Sequence, residues 1–327
     1  MLLLAGVELS CGGAINSRSS SHSELLFIAD NCQCSSPLLR SLRLDTDTGK
    51  LTEVATPANA MWARPLVVDP KGRFLYAGEI ATYSQTVLGY SINANTGQLS
   101  AMMGSPFFSQ YGGHNIAIDP SARFLYADSQ GFAIDQSTGA LTPINNSISP
   151  SVITRDGIGL HFFCPAINAP GTLSSYRIDS TGNLASLANV TITCVNGALS
   201  VDPTGRFIYV DQAIFRLDPN TGNMTQTPGS FPIFTIAFDS QGKFMYGGTT
   251  NSTGLNVYRV DPASGVPTLS AGPFSIQFGL GQGAVDPSGR FFVTSLEATY
   301  AIDQNTGSLS AIEPAKNLNT TAIVFYP

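Results

Sequence analysis

The sequence predicts an all-β protein built from a repeated four-stranded unit, and two alternating turn motifs support this prediction. The first motif, an Asp or Asn followed by Thr-Gly or Ser-Gly, occurs seven times with its glycines 40 to 48 residues apart. The second motif, typically Asp-Pro-x-Gly-Arg before an aromatic run such as Phe-Leu-Tyr, occurs in six copies, one of them degenerate. A regular period of this length is typical of repeat architectures and not of independent sites.

Each motif joins two short strands. The second motif has an apolar run before its Asp turn and an aromatic run after it, which is typical of a tight hairpin. The first motif also lies between apolar segments, for example VLGYSI before Gly97 and QLSAM after it. One period therefore contains four strands, which we name A to D. The Asp-Pro turn connects A to B, and the Thr-Gly turn connects C to D.

Four-stranded units with this period predict a β-propeller, in which each small sheet packs against its neighbours around a central channel. The segment ELLFIAD at 24–30 matches strand B and has no strand A before it, whereas TAIVFYP at 321–327 matches strand A. We expect the C-terminal strand to pair with the N-terminal blade, because this pairing closes the ring and removes an open sheet edge. The prediction is a seven-bladed propeller over residues 24–327.

The stretch RLDTDTGKLTEV at 43–54 raises the alternative of a calcium loop, because Asp45 and Asp47 have the spacing of its first two ligands. Gly49 stands where the third ligand is required. Since the stretch is one copy of the repeated motif, we interpret it as a turn in which Asp45 binds backbone amides and Gly49 has a positive φ. The sequence predicts neither a metal site nor a cofactor.

The repeats resemble those of the seven-bladed lactonase-like propellers with YVTN-type repeats, a family that includes 6-phosphogluconolactonase-like proteins. The resemblance rests on the DPxGRFLY and DxxTGxL turns and covers residues 24–327. It implies the propeller fold and, for members that hydrolyse lactones, Arg, His and Glu side chains at the mouth of the channel. The turns themselves are structural and do not specify a reaction.

Antiparallel strands place every A-to-B and C-to-D turn on one face of the ring, here named the turn face. The B-to-C and D-to-A connections lie on the opposite face, here named the loop face, and they differ from blade to blade; variable loops on a rigid scaffold usually carry binding sites. Arg64 and His114 have equivalent positions at the channel mouth in adjacent blades, while Glu79 and Glu297 follow strand B of blades 2 and 7.

These four residues are the predicted catalytic group of a lactone hydrolase. Arg64 would stabilise the developing oxyanion, His114 would activate water, and Glu79 would orient or assist them. Two alternatives remain open. Arg64 and Glu79 would form a structural ion pair beside a hydrogen-bonded His114, or the propeller would be non-catalytic and bind a protein or a glycan through its loop face.

Charge and the N-terminal segment bear on partners and compartment. Only 12% of residues are charged and the net charge is −6, which argues against a nucleic-acid partner. The expected partner is a small-molecule lactone, or else a protein or glycan ligand, and we expect the protein to be a monomer. No stretch is long enough to span a membrane.

The start MLLLAGVELSCGG resembles a lipoprotein signal, so we expect residues 1–23 to be a signal and Ser-rich tether, with lipid on Cys11 and an extracytoplasmic or secreted location. A cytoplasmic protein is the alternative.

The remaining cysteines are considered in pairs. Cys164 follows strand B of blade 4 and Cys194 precedes strand A of blade 5, so both lie on the loop face and we expect a disulfide between them. Cys32 and Cys34 form a CxC segment in a loop of blade 1, for which a disulfide or two free thiols are the alternatives.

Overall fold

The structure of the protein is a computed structural model. It describes most of the chain from residue 23 onward, as the segments 23–30, 38–56, 58–59, 63–79, 86–109, 115–144, 150–195, 197–230, 234–248, 254–276, 283–316 and 320–327. Within these segments there is no helix, so none that is long and apolar enough to cross a membrane. The all-β prediction is confirmed.

The described residues form thirty strands. In chain order they are β1 (Ser23–Asp30), β2 (Leu38–Asp45), β3 (Leu51–Glu53), β4 (Ala58–Asn59), β5 (Ala63–Val68), β6 (Phe74–Glu79), β7 (Thr86–Ile92), β8 (Leu99–Ala101), β9 (Phe107–Phe108), β10 (Ile116–Ile118), β11 (Phe124–Ala127), β12 (Gln130–Ile134), β13 (Leu141–Ile144), β14 (Val152–Ile153), β15 (Ile158–Phe163), β16 (Pro170–Ile178), β17 (Leu184–Thr193), β18 (Leu199–Val201), β19 (Phe207–Val210), β20 (Ala213–Leu217), β21 (Met224–Ser230), β22 (Phe234–Phe238), β23 (Phe244–Gly248), β24 (Leu255–Val260), β25 (Pro267–Phe274), β26 (Gly283–Val285), β27 (Phe291–Thr294), β28 (Thr299–Ile302), β29 (Leu309–Glu313) and β30 (Thr320–Phe325).

The strands form seven antiparallel sheets, which are the blades of a propeller. From strand A to strand D, the blades are β30-β1-β2-β3, β5-β6-β7-β8, β10-β11-β12-β13, β14-β15-β16-β17, β18-β19-β20-β21, β22-β23-β24-β25 and β26-β27-β28-β29. Two short strands lie off these paths, with β4 pairing with β2 and β9 with β7. The strand assignment of each blade agrees with the positions of the two turn motifs.

Blade 1 is completed by the C-terminal strand, as the sequence predicts. Strand β30 pairs antiparallel with β1, with Phe325 opposite Leu26 and Ala322 opposite Ala29. Leu26 and Ala29 are fully buried in the pairing. The first and last segments of the chain therefore share one sheet, and neither leaves an unpaired edge at this point of the ring.

Buried hydroxyl groups connect neighbouring blades. The hydroxyl groups of Tyr76, Tyr126 and Tyr209 donate to the carbonyl oxygen of the strand C to strand D turn glycine in the next blade, at 2.6 to 2.8 Å. Blade 4 has Leu160 at the tyrosine position, and there Ser175 Oγ donates to the Gly222 carbonyl at 2.8 Å. The repeated aromatic motif therefore packs the core and satisfies a buried carbonyl at the same time.

The turn interpretation of Asp45 is confirmed. Its Oδ1 accepts the backbone amides of Asp47 and Thr48 at 2.9 and 2.8 Å, and Gly49 has a φ of +73°. The amide of Thr48, followed by that of Asp47, holds the pKa of the Asp45 carboxyl below its usual value. The carboxylate of Asp45 thus serves the turn.

Candidate active site on the loop face

The loop-face edge of blade 2 holds a row of four cross-strand neighbours. Ala63 of β5 pairs with Glu79 of β6, Glu79 pairs with Thr86 of β7, and Thr86 pairs with Phe108 of β9. The row begins at strand A, which lies beside the channel, and ends at the outer strand β9. Residues paired in this way have neighbouring side chains on the same face of the sheet.

A β-bulge lies next to this row. The register of β5 against β6 shifts between Ala63 and Leu66, so Arg64 and Pro65 occupy the irregular segment. Pro65 has no amide hydrogen to contribute to the ladder, which favours a bulge at this point. Bulges redirect side chains and are common beside active sites. Arg64 therefore follows the cross-strand partner of Glu79, although its side chain lies outside the described residues.

The carboxylate of Glu79 is anchored within blade 2. It is half-buried and accepts a hydrogen bond from Thr86 Oγ1. Burial, and after it the nearby negative charge of Glu79, raises the pKa of Tyr90 to about 12. The hydrogen bond from Thr86 gives the Glu79 carboxylate a defined position, which is what a residue that orients a catalytic base requires.

His114 and the segments 60–62, 80–85 and 110–113 lie outside the described residues. Asn115, the residue after His114, is anchored to Asp128. The Asn115 amide donates to Asp128 Oδ1 at 3.1 Å, and the Asn115 carbonyl accepts the Asp128 amide at 3.0 Å. The structure thus brings the backbone of Arg64 close to Glu79, and the contribution of His114 stays a prediction.

Glu297 lies at the seam between blades 7 and 1. Its side chain is fully buried, and its two carboxylate oxygens contact Arg40 Nη1 and, at 2.5 Å, Lys316 Nζ. Arg40 also binds Glu53 Oε2 at 2.6 Å. The carboxylate of Glu297 is therefore neutralised by two cations in a network that joins the strand B to strand C turn of blade 7 to blade 1.

The backbone conformation at Glu297 also indicates that this turn is held in a fixed position at the seam between blades 7 and 1. Its φ is +60°, a left-handed conformation that is uncommon for a residue with a long side chain. Its amide donates to the Thr294 carbonyl at 2.9 Å, and the amide of Lys316 donates to the Leu296 carbonyl at 2.9 Å. The ion pairs and these backbone bonds hold the strained turn in place.

Sequence reasoning did not identify three of these partners. Arg40 belongs to an ordinary strand pattern, LLRSLRLD, and Lys316 lies in a connection before β30, so neither carries a local signal. Thr86 has a position that only the register of β6 against β7 reveals. All three are identified by contacts between different strands and connections, which no local sequence motif marks.

The predicted cysteine pair comes together on the loop face. The structure joins Cys164 and Cys194 as a disulfide with a Cα–Cα distance of 5.6 Å, within the usual range. The lipidation candidate Cys11 and the CxC cysteines Cys32 and Cys34 lie outside the described residues.

A groove of about 440 Å³ lies on the turn face between blades 5 and 6, away from the predicted site. Its lining includes Arg206, Lys243 and Arg259, which are bound to turns: Arg206 Nε donates to Thr204 Oγ1 at 3.0 Å, and Lys243 Nζ donates to the Gln304 carbonyl at 2.6 Å. The Arg259 guanidinium also donates to a turn carbonyl of blade 7. These cations stabilise blade contacts, so the groove does not replace the loop face as the candidate site.

A family model described as "Lactonase, 7-bladed beta-propeller" matches residues 26–129. The match covers most of blade 1, all of blade 2 and the first half of blade 3, and it includes Arg64, Glu79 and His114. The resemblance seen in the repeats is confirmed over this part of the chain. No curated protein sequence matches the chain significantly.

Solved structures with the same fold match nearly the whole chain at low identity. A periplasmic gluconolactonase of Pseudomonas aeruginosa is 15% identical with a TM-score of 0.72, covering 93% of this chain and 99% of its own. A candidate 6-phosphogluconolactonase of Bacteroides fragilis is 16% identical with a TM-score of 0.69, covering 94% and 99%. A protein of Lactobacillus plantarum is 18% identical with a TM-score of 0.69, covering 93% and 99%. At these identities the likeness establishes the seven-bladed fold alone.

Proposed function

We propose that this propeller, whose first blades match the lactonase family model, hydrolyses a lactone at the loop-face mouth of its channel. The observation that carries the proposal is the loop-face edge of blade 2, where the bulge at Arg64 adjoins the Glu79–Thr86 pair. Two further points support it. Arg64, Glu79 and His114 all fall within the matched residues, and two of the similar structures are described as lactonases.

The proposed reaction adds water across the ester bond of the lactone. His114 accepts a proton from water as its oxygen attacks the carbonyl carbon, and Arg64 stabilises the negative charge that develops on the carbonyl oxygen. The ring C–O bond then breaks, and the proton returns to the departing alkoxide. The product is an open-chain hydroxy acid. Glu79, held by Thr86, orients the base or the cation.

We assign Glu297 a positioning role. Its carboxylate is fully buried between Arg40 and Lys316, so it fixes the turn of blade 7 beside the ring closure and does not contact the substrate in this proposal. A substitution of Glu297 would change turnover only indirectly, by altering the geometry of the channel mouth.

The test is hydrolysis of a panel of lactones, including glucono-δ-lactone and its 6-phosphate, followed by the acid that the reaction releases. We expect Arg64→Ala and His114→Ala each to lower kcat/KM about 100-fold or more. Glu79→Gln is expected to have a smaller effect, because it orients another group. Arg216→Ala, which removes an exposed turn-face arginine, is the matched control and should retain full activity.

Two outcomes would contradict the proposal at different levels. Full activity of the Arg64→Ala, His114→Ala double variant would overturn the residue assignment. No hydrolysis of any lactone by the folded protein would overturn the reaction class.

The second candidate function is a non-catalytic propeller that binds a protein or a glycan through its loop face. Exposed apolar side chains on this face favour it, namely Phe108, Phe163 and Ile167, which are 66%, 59% and 70% exposed. Contiguous exposed apolar patches mark interaction surfaces, and Phe163 and Ile167 both belong to the strand B end and the strand B to strand C connection of blade 4. A lactone panel without activity, together with glycan binding that Phe163→Ser abolishes, would favour this function.

We also propose that residues 1–23 are a signal and tether and that the propeller is extracytoplasmic, anchored through lipid on Cys11. Support comes from the fold shared with a periplasmic gluconolactonase. Mass spectrometry of the mature protein tests it. Lipid on an N-terminal Cys11 is the expected result, and an unmodified Cys11 in a cytoplasmic fraction would contradict it.

A further inference from the structure

Three potential metal ligands from two blades meet on the loop face. The sulfur atoms of Cys164 and Cys194 and a carboxylate oxygen of Asp211 all lie within 4.8 Å of one another. In the sequence these residues are widely separated, so no local spacing motif indicates the cluster. Cys164 follows β15, Cys194 follows β17, and Asp211 lies in the turn between β19 and β20.

Backbone hydrogen bonds hold the three segments together. The amide of Val195 donates to Asp211 Oδ2 at 2.7 Å, and the amide of Ala198 donates to Asp211 Oδ1 at 3.2 Å. Cys194 exchanges two backbone bonds with the loop after Cys164: its amide donates to the Ala169 carbonyl at 2.9 Å, and its carbonyl accepts the Asn168 amide at 2.7 Å. The positions of the ligands therefore do not depend on the disulfide alone.

The turn that carries Asp211 has an unusual conformation. Asp211 and Gln212 have φ values of +44° and +74°, as a two-residue hairpin with both central residues in the left-handed region requires. The residue pairs usually favoured there are Asn-Gly, Asp-Gly and Gly-Gly, so Asp211 fits the first position and Gln212 departs from the second. The Asp211 carboxylate reaches the segment that follows Cys194.

The three residues of the cluster differ in their exposure to solvent. Cys194 is fully buried and Asp211 is 5% exposed, whereas Cys164 is half-buried. A groove of about 380 Å³ that Thr193, Val195 and Asp211 help to line adjoins the cluster. Solvent can therefore reach the group, and the groove leaves room for a further ligand.

We propose that Cys164, Cys194 and Asp211 bind a thiophilic divalent metal ion, such as Zn²⁺, when the disulfide is reduced. A thiol or phosphine reductant supplies two electrons, the S–S bond breaks, and two protons give two thiols. Metal binding then releases both thiol protons and forms two metal–thiolate bonds and one metal–carboxylate bond. A water molecule completes a tetrahedral set. The disulfide and the metal complex exclude each other.

The geometry is close to what such a site requires. Zinc binds thiolate sulfur at about 2.3 Å and carboxylate oxygen at about 2.0 to 2.2 Å, so ligand atoms in a tetrahedral site lie roughly 3.5 Å apart. Around an ion, the Asp211 oxygen, which lies within 4.8 Å of both sulfur atoms, moves about 1 Å closer, while the two sulfur atoms, joined in the disulfide, move apart. The amides of Val195 and Ala198 already orient the carboxylate, as outer-shell partners do in established metal sites.

The experiment uses the full chain with Cys11, Cys32 and Cys34 replaced by Ser, so that one cysteine pair remains. The protein is reduced anaerobically and titrated with Co²⁺, whose thiolate complexes absorb light, and Zn²⁺ then competes for the site. We expect one equivalent of Co²⁺ with thiolate absorption in the reduced protein and none in the oxidised protein. Zn²⁺ should raise the melting temperature of the reduced protein only.

Two variants and a matched control test the ligand assignment. Asp211→Asn should weaken Co²⁺ binding about 10-fold or more, and Cys194→Ser should abolish the thiolate absorption. Asp128→Asn changes the corresponding carboxylate in blade 3 and should leave binding unchanged. The melting temperature of each reduced variant without metal shows whether it is folded.

The proposal would be overturned if the reduced protein binds no Co²⁺, or if Co²⁺ binds equally well to the oxidised protein. Binding that is unaffected in folded Asp211→Asn would remove the carboxylate from the site. If Asp211→Asn does not fold, Cys164→Ser replaces it as the test, and retained thiolate absorption at wild-type affinity in that variant would overturn the pair of thiolate ligands.

Discussion

On the turn face, five aspartates make the same contact in five blades, namely Asp69, Asp119, Asp202, Asp239 and Asp286. Each carboxylate accepts the backbone amide of the phenylalanine five residues later, at distances of 2.6 to 2.8 Å. The turn residues are the same because each turn solves the same problem, which is to satisfy buried amides between strands A and B. The repeated Asp–amide contact on the turn face therefore has a structural role in every blade that contains it.

On the loop face, three short strand B to strand C turns also carry acidic residues, and each has different partners. Asp128 binds the amide of Asn115, Asp211 binds two amides beside the disulfide, and Glu297 binds two cations at the ring closure. The same connection of the repeat therefore supports three distinct arrangements. Function is expected where the blades differ, and the predictions below compare single contacts of the loop face with repeated contacts of the turn face.

The largest effect is expected at the ring closure. Arg40→Met leaves the buried carboxylate of Glu297 with only the half-exposed Lys316, and we expect the free energy of unfolding to fall by roughly 3 to 5 kcal/mol. Lys316→Met removes the more exposed cation and should cost about 1 kcal/mol or less. Urea denaturation measures both. Equal, small losses would show that the Glu297 charge is not held by Arg40.

The turn face is tested by two glycines of positive φ. At Gly49 an added Cβ would lie 2.4 Å from Ile312 Cδ1 and 2.7 Å from the Phe291 ring, whereas at Gly157 no other atom lies within 4 Å. We expect Gly49→Ala to lower the free energy of unfolding by about 2 to 4 kcal/mol and Gly157→Ala by about 1 kcal/mol. Thermal and urea unfolding measure the difference. Equal losses of unfolding free energy would mean that backbone strain alone accounts for the effect of both substitutions, and that the contacts of Gly49 with blade 7 contribute nothing.

A smaller effect is expected where blade 4 departs from the repeat. Ser175→Ala leaves the Gly222 carbonyl without its side-chain donor, and Tyr126→Phe does the same to Gly182. Each should cost about 1 kcal/mol. A loss for Tyr126→Phe without any loss for Ser175→Ala would show that the serine does not replace the tyrosine hydroxyl.

The smallest and most condition-dependent effect concerns Glu24. It occupies in blade 1 the position that Arg73 has in blade 2, and its carboxyl group lies beside Asp286 of blade 7. Burial, and then the charge of Asp286, raises the pKa of Glu24 from 4.5 to about 7.

The folded protein therefore binds this proton more tightly than the unfolded chain does. The stability contributed by protonated Glu24 is present below pH 4.5 and declines as the pH rises towards about 7. Glu24→Gln should flatten this part of the melting-temperature profile, whereas Asp156→Asn, an exposed turn-face change, should not. A profile unaltered by Glu24→Gln would contradict the shift.

The repeats made the fold predictable because a turn is a local event. Asp45 and Gly49 are four residues apart, and the Asp carboxylate, the following amides and the positive φ of the glycine all belong to one short segment. Ring closure was also predictable, since strand A is missing at the start of the chain and present at its end. The outcome for the candidate site is different, because Glu79 is anchored by a residue on another strand and Glu297 by two residues that no motif marks.

The sequence by itself determined the seven blades, their four strands, the strand that closes the ring and the face on which variable loops lie. The turn motifs repeat through the chain, so each copy reinforces the same register. The tertiary structure alone decided which side chains meet across blades: Arg40 with Glu297, Glu24 with Asp286, and Asp211 with the Cys164–Cys194 pair. Such contacts join residues far apart in the chain, and their chemistry depends on the distances and the burial that packing of the blades imposes.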